Sequence, residues 1–334
     1  GGKVYKTITG GEPLPQIDAS VMEIEAYSST LCPGTLPVKV KLKNYGVQTL
    51  TSANINWSVN GIYQGTYNWT GSLLPNTNTS YLTIGNYNFN FSSQKIKAWT
   101  SSPNTSSDQF IGNDTTSLTF LTQRLEGIYT IGGSSPDFAT FTDAITRLNT
   151  FGVCGPVTFK ARNETYTENL SINSYTGASS TNSVSFESEN GDSSLVILNS
   201  VSGKTILLDG SDFVQFKKIS IASNDNYAIE LKNGADNITI SNCNLSGSNA
   251  ATSTSLSIVG YSGTTSHNSI FKNNLFQNGS HDIYLYGQTG NYATGLVIDN
   301  NKFQGQSAKA IYIQYYLSPQ ILNNTITSNV TSSF

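Results

Sequence analysis

Charge is scarce in this chain of 334 residues. Lys+Arg number 18 and Asp+Glu 21, so charged residues make up 12% of the sequence, about half the usual share. A nucleic-acid binder needs a basic footprint to neutralise phosphates, and a formal net charge of -3 supplies none. The 2 histidines are His267 and His281, which read as solvated loop residues. The 3 cysteines, Cys32, Cys154 and Cys243, have no metal-ligand spacing, and their odd count excludes complete internal pairing. Cys243 falls between Ile240 and Leu245 at an inward position and reads as a buried free thiol. No apolar run approaches the ~18 residues of a membrane-spanning helix, so direct membrane insertion is not expected.

Neutral polarity fills the gap. The chain holds 36 Asn and 83 Ser+Thr, more than a third of all residues, with 29 Gly and 18 Tyr. Apolar residues reach 37% and recur periodically, which argues against disorder. This balance points to an extracellular, β-rich protein. The start at Gly1 without a methionine reads as a mature or excised fragment.

Residues 1–16 are Gly- and Pro-rich and read as a linker. From 17 to 120, short alternating runs are separated by turn residues. Val38, Val40 and Leu42 alternate with Lys39 and Lys41, the mark of a half-buried strand. Asn60-Gly61 follows another such run and predicts a tight hairpin, because both residues accept positive φ. About seven short strands in about 100 residues fit an immunoglobulin-like β-sandwich. Asp108, Asn113 and Asp114, near its end, are weak metal candidates. They offer too few oxygens at fixed spacing to define a Ca²⁺ site, and no other cofactor is suggested.

A connector is expected at 121–136. Phe141, Ala144, Ile145 and Leu148 then follow the i, i+3, i+4, i+7 spacing of one helix face. The spacing predicts a helix over 138–149, ended by Gly152, that caps a solenoid starting at 137.

The remaining chain, to 334, carries a repeat. Phe216–Ile221, Ile240–Leu245, Phe271–Phe276, Ile298–Phe303 and Ile321–Ile326 align without gaps, at separations of 24, 31, 27 and 23 residues. A second strand set is read at Ala228–Leu231, Ser255–Ile258, Asp282–Leu285 and Ala310–Ile313, with insertions such as 249–253 and 262–266 explaining the uneven period. The runs are too short for helices, so the repeat predicts a parallel β-helix. Asn242, Asn273, Asn300 and Asn323 form one column at a corner expected to be left-handed, a conformation Asn tolerates. Asn274, Asn301 and Asn324 form the next column, replacing Ile219 and Cys243 of earlier coils. Stacked amides can satisfy one another, and the sequence leaves open which column bonds laterally.

The residues Val38–Gly46, Ile55–Gly61 with Trp57, and Gly112–Thr115 resemble the immunoglobulin-like modules of the CARDB group. Over about 127–334 the chain resembles right-handed parallel β-helices of the pectate-lyase-like superfamily. Tyr129–Gly133, Phe138–Ile145 and Gly155–Phe159 are similar to the opening of β-helix repeats in large surface proteins of Bacteroidetes-type bacteria. That resemblance implies a bacterial cell-surface or secreted setting and export through a type IX route; the C-terminal sorting domain usual in such proteins is not found in this sequence, which ends at Val330–Phe334 and reads as a piece of a longer polypeptide.

Catalysis finds little support. Asp209, Asp212, Asp225, Glu230, Asp236, Asp282 and Asp299 are the available acids of the repeat, and no arginine follows Arg162. The alignment places Glu230 in a column with Ser257, Tyr284 and Tyr312, and Asp282 with Ala228, Ser255 and Ala310, each acid alone. Paired carboxylates are not recognisable. Tyr284, Tyr286, Tyr312, Tyr315 and Tyr316 are the carbohydrate-binding candidates, since flat rings on a rigid ladder can stack on sugars. The sequence thus favours a non-enzymatic adhesion or glycan-contact module, whose partners are external glycans or neighbouring domains of one polypeptide. A β-helical polysaccharide lyase or glycoside hydrolase, and a rigid spacer, are the alternatives.

Overall fold

The computed structural model describes residues 14–27, 32, 34–90, 93–121, 124–248, 257–262 and 265–327. The chain divides into two compact units, Gly1–Arg124 and Leu125–Phe334. The expected linker up to residue 13, the insertion at 249–253 and the segment Val330–Phe334 lie outside the described residues.

Among the described residues, seven strands build the first unit: β1 (Ala19–Ile24), β2 (Gly34–Asn44), β3 (Leu50–Val59), β4 (Ile62–Leu73), β5 (Leu82–Phe89), β6 (Ser93–Ser101) and β7 (Thr115–Leu121). They form two antiparallel sheets, ordered β1-β2-β5 and β4-β3-β6-β7. Alternation explains the layering, because Val38, Val40 and Leu42 bury on one face of β2 while Lys39 and Lys41 face out and pair with Glu25 and Glu23. The turn between β3 and β4 holds Asn60 and Gly61 at φ 49° and 83°. Trp57 lies so close to Gly85 that a Cβ there would meet its ring at 2.5 Å, so the strand crossing it must carry glycine.

The second unit is a parallel β-solenoid. It opens with β8 (Leu125–Ile131), which pairs in parallel with β9 (Val153–Ala161) as the edge of the first solenoid sheet. The solenoid therefore starts at Leu125, inside the segment read from sequence as a connector. Helix α1 (Phe141–Phe151) lies between these strands and packs against β8 and Leu170–Asn173, both edge strands at the N-terminal end of the stack. Its buried Phe141, Ala144, Ile145 and Leu148 join the solenoid core and cover its open end. The helix starts three residues later than the apolar spacing suggests. Phe138 is held in a bridge to Ile131, and Thr140 is the N-cap. Thr140 Oγ1 accepts from the Asp143 N–H at 3.0 Å while Asp143 accepts from the Thr140 N–H at 3.2 Å, a reciprocal capping box.

Among the described residues the solenoid strands form three parallel sheets, of eight, seven and six strands. Inward residues stack in columns from coil to coil. Phe159, Phe186 and Phe216 lie nearly parallel in the first sheet, with centroids 4.8 and 5.3 Å apart, and Phe276 stacks on Phe303 at 4.7 Å in the second. Each six-residue repeat segment crosses a corner: Ile298 belongs to the first sheet, Asn300 makes the bend, and Phe303 belongs to the second. In the third sheet one coil differs from expectation. Ser255 and Leu256 lie outside the described residues, and the strand of that coil is Val259–Ser262. Val259 pairs with Ile229 and Ile283, because the insertion before it shifts the register three residues past the expected alignment.

Candidate functional site

The outer face of the third sheet carries the tyrosines. Parallel register places Leu207, Glu230, Gly260, Tyr284 and Tyr312 in one column, so Gly260 takes the place that the sequence alignment assigned to Ser257. Tyr284 and Tyr312 stack at 4.8 Å with an interplanar angle of 9°. Their faces are largely occupied, for they cover each other, Lys309 Nζ sits 4.6 Å from the Tyr312 centroid, and the His281 ring meets Tyr284 edge-on at 5.3 Å. Tyr312 also donates its hydroxyl to Gln314 Oε1 at 2.6 Å.

Open ring surface lies beside this pair. Tyr286 is 42% exposed and meets Tyr315 at right angles, with centroids 5.3 Å apart. Tyr292, also exposed, lies 6.1 Å from Tyr315. Tyr315 reaches this position because its backbone is left-handed, at φ 62°. Tyr316 packs, partly buried, against the solenoid core, and bridges to Ala293 through its backbone. The candidates thus separate into a stacked pair, an exposed rim and one core residue.

Sequence reasoning missed Tyr227 and Tyr292. Tyr227 lies over the strand at Gly260, where an added Cβ would come within 2.0 Å of its ring. The glycine in a strand interior was the available signal for a close approach.

The acids serve mainly as links between coils. Asp209 Oδ1 accepts from Asn233 Nδ2 at 2.6 Å, Asp212 Oδ1 from the Asp236 N–H at 2.9 Å, and Asp236 Oδ1 from the His267 N–H at 2.6 Å. Asp225 accepts from the Gly203 N–H, and Asp299 from Asn323 and Lys272. Glu230 is buried and paired with Lys204. Asp282 is wholly buried in a column with Ala228, Ile258 and Ala310, where the earlier alignment had Ser255. Burial pushes its carboxyl up to about 8, against a smaller opposing pull from the Gly279 backbone. His281, expected in a solvated loop, begins the strand His281–Tyr286 and is buried. Desolvation and the Lys309 charge lower its pKa. His267 does lie in a loop, with Nδ1 3.2 Å from Thr294 Oγ1.

The asparagine columns occupy one corner. Asn242, Asn273, Asn300 and Asn323 have φ between 53° and 56°, and Lys218 takes the same conformation one coil earlier. Their exposed amides bond from coil to coil, as from Asn300 Nδ2 to Asn273 Oδ1 at 2.8 Å, except that Asn323 turns to Asp299. The inner column is more tightly knit. Asn301 Oδ1 accepts from the Asn274 N–H at 2.9 Å and from its Nδ2 at 3.0 Å, while Asn301 Nδ2 donates to Phe271 O at 2.9 Å. Asn324 repeats the pattern toward Asn301, and Asn274 toward Cys243. Both columns therefore bond laterally. An open groove follows the corner, lined by Ser193, Asn242, Asn273, Asn300, Lys302 and Thr325. Cys243 is free and buried, its thiol pushed up to about 12 by desolvation, whereas Cys32 and Cys154 are not free thiols.

In the sandwich, the metal candidates Asp108 and Asp114 gather with Asp18, a residue the sequence reading did not include. One carboxylate oxygen of each lies within 4.8 Å of the others. Asn113 instead donates Nδ2 to Asp18, at 3.0 and 3.3 Å from its two oxygens.

A family model for the right-handed β-helix region matches residues 188–334. No curated protein matches the chain. Among solved structures, the chain is similar to the pectin methylesterase from Aspergillus niger, at 14% identity over 63% of this chain and 90% of that one, with a TM-score of 0.36. It is similar to the CARDB domain of a Pyrococcus furiosus protein solved in complex with di-metal ions, at 19% identity over 34% of this chain and 97% of that domain, with a TM-score of 0.27. A third similarity is to the catalytic domain of a GH87 α-1,3-glucanase, at 12% identity over 87% of this chain and 56% of that one, with a TM-score of 0.40. Strand pairing and the family match agree on the architecture: the chain is all-β, an immunoglobulin-like sandwich followed in sequence by a right-handed parallel β-helix of about seven turns.

Proposed function

We propose that the protein is a non-enzymatic extracellular module that contacts glycans through the tyrosine rim of the third β-helix sheet. The observation that carries this reading is the grouping of Tyr286, Tyr292 and Tyr315 at mutual angles of 89° and 56°, with Tyr286 and Tyr292 exposed. Angled rings on a stiff parallel ladder present a fixed cradle of apolar faces and hydroxyls, the chemistry that recognises a pyranose ring. The stacked Tyr284–Tyr312 pair would stiffen the strands beneath rather than receive the sugar, since its faces are already covered. Asp209, Asp212, Asp236 and Glu230 of the same unit are committed to backbone amides, an Asn side chain and a lysine, which fits a surface that holds a glycan without cleaving it.

Retention on a glycan array tests the proposal. Tyr286→Ala combined with Tyr292→Ala should weaken binding at least about tenfold, or about 1.4 kcal/mol, while Tyr284→Phe should leave it unchanged. Wild-type protein that binds no glycan would leave the spacer reading in its place. Product release from a panel of polysaccharides, abolished by Asp282→Asn or Glu230→Gln, would replace it with a β-helical lyase or hydrolase.

A further inference from the structure

The sandwich holds three carboxylates where its packing supplies no counter-charge. Asp18 immediately precedes β1, and Asp108 and Asp114 lie in the segment leading to β7, about ninety residues away. The two segments are laced together. The Ala19 N–H donates to Asp108 Oδ2 at 2.9 Å, Ser20 Oγ donates to Asn113 O at 2.6 Å, and Thr100 and Val21 donate their N–H groups to Asp114 O. These bonds fix the backbone and aim the three acids at one point, where one oxygen of each lies within 4.8 Å of the others.

Burial makes this costly. Asp18 is 3% exposed and Asp114 8% exposed, yet Asp114 Oδ1 has no hydrogen-bond partner, and neither has the buried Asn113 Oδ1 beside it in sequence. Among the described residues none of the three acids is in an ion pair. Burial, reinforced by Asp108 and Asp18, pushes the Asp114 carboxyl up to about 7, and burial also raises Asp18. A buried acceptor normally finds a donor, and a buried carboxylate normally finds a cation.

We propose that Asp18, Asp108 and Asp114 bind a Ca²⁺ ion that ties the start of β1 to the segment before β7. The donors are all hard oxygens, three of them anionic, which suits Ca²⁺ over softer metals that favour nitrogen or sulfur. The free Asp114 Oδ1 supplies a lone pair that the protein leaves unused, and the ion offsets the repulsion among the three charges. Its role would be to hold a sandwich edge in place, independently of what the β-helix binds.

Calorimetric titration of the EDTA-treated, desalted full chain with CaCl₂ tests this. One saturable site is expected, in the ~10⁻⁴–10⁻³ M range of extracellular modules, with a matching rise in the melting temperature of the sandwich. Asp114→Asn and Asp108→Asn should each weaken binding at least about tenfold, following the loss of ligand charge, and Asp299→Asn in the β-helix should not. Asp108 is the less buried of the two, so its variant carries the test if Asp114→Asn fails to fold. Wild-type protein that shows no saturable Ca²⁺ binding up to ~10 mM, or a folded variant that keeps wild-type affinity, would overturn the site.

Discussion

The two units handle buried polarity in opposite ways. In the β-helix, a buried Asn meets another Asn one coil away, and the amide of each offers both a donor and an acceptor. Translation along the solenoid therefore turns one residue type into its own partner. In the sandwich, Asp18, Asp108 and Asp114 meet one another without any repeat, and ionised carboxylates only accept. The same crowding that satisfies amides leaves acids repelling. A solenoid can thus bury neutral polar columns cheaply, whereas the sandwich cluster calls for an ion from outside. Asp282 marks the limit of the rule, being a carboxylate inside the β-helix with no like residue in its column.

The apolar columns set the scale against which the polar ones can be judged. Phe216→Ala removes a fully buried ring from a stack that continues through Phe186, and should cost about 3–5 kcal/mol of β-helix stability. Asn301→Leu is the sharper comparison. It keeps the branched shape of the side chain but takes away the acceptor of the Asn274 N–H and the amide donor to Phe271 O in the interior, which should cost about 2–3 kcal/mol. Urea unfolding followed by tyrosine fluorescence would rank the two. An Asn301→Leu variant as stable as wild type would mean that the amide ladder is replaceable by apolar packing, and the contrast between the units would fail.

Asp282 offers a test through pH. Its folded-state pKa of about 8 lies above the unfolded value of 3.8, so the folded state holds the proton more tightly. The associated stability is fully present below about pH 4 and is lost as pH rises through about 8. His281 acts in the opposite sense. Its folded pKa is lowered, so it disfavours the fold at low pH, and that effect fades as pH rises past its unfolded value. Subtracting the stability curve of Asp282→Asn from that of wild type isolates the acid, and the variant should gain on wild type from pH 5 to 8. A difference curve that is flat across this window would show that Asp282 is ionised at no cost.

The architecture was legible where chemistry repeats. The five aligned segments mark one corner because Asn recurs there at both the bend and the next inward position. The helix face was legible from Phe141, Ala144, Ile145 and Leu148, but its start was set by Thr140 and by the bridge at Phe138, which lie outside the apolar period. Other left-handed corners escaped notice, because their columns mix residue types: Phe213, Asn237, Asn268 and Gly295 share one of them. The third-sheet register failed at the coil containing Val259, where an insertion breaks the period. Two contacts were invisible for a simpler reason. Asp18 reaches Asn113 across 95 residues, and the close approach of Tyr227 is reported in the sequence only by Gly260.

The smallest expected effect separates backbone from side chain at the legible corner. Asn300 holds φ at 53° and donates Nδ2 to Asn273 across the exposed edge. Asn300→Gly keeps the left-handed bend accessible and removes only this solvent-exposed bond, so it should cost about 0.5–1 kcal/mol. Asn300→Ala removes the same bond and adds the strain of a Cβ in that conformation, a further ~1 kcal/mol. The gap between the two variants measures the bend alone. If alanine and glycine proved equally tolerated, the outer asparagines would owe their recurrence to coil-to-coil bonding rather than to backbone conformation. The outer column would then work by the same amide pairing as the buried column beside it, with solvent exposure the remaining difference in cost.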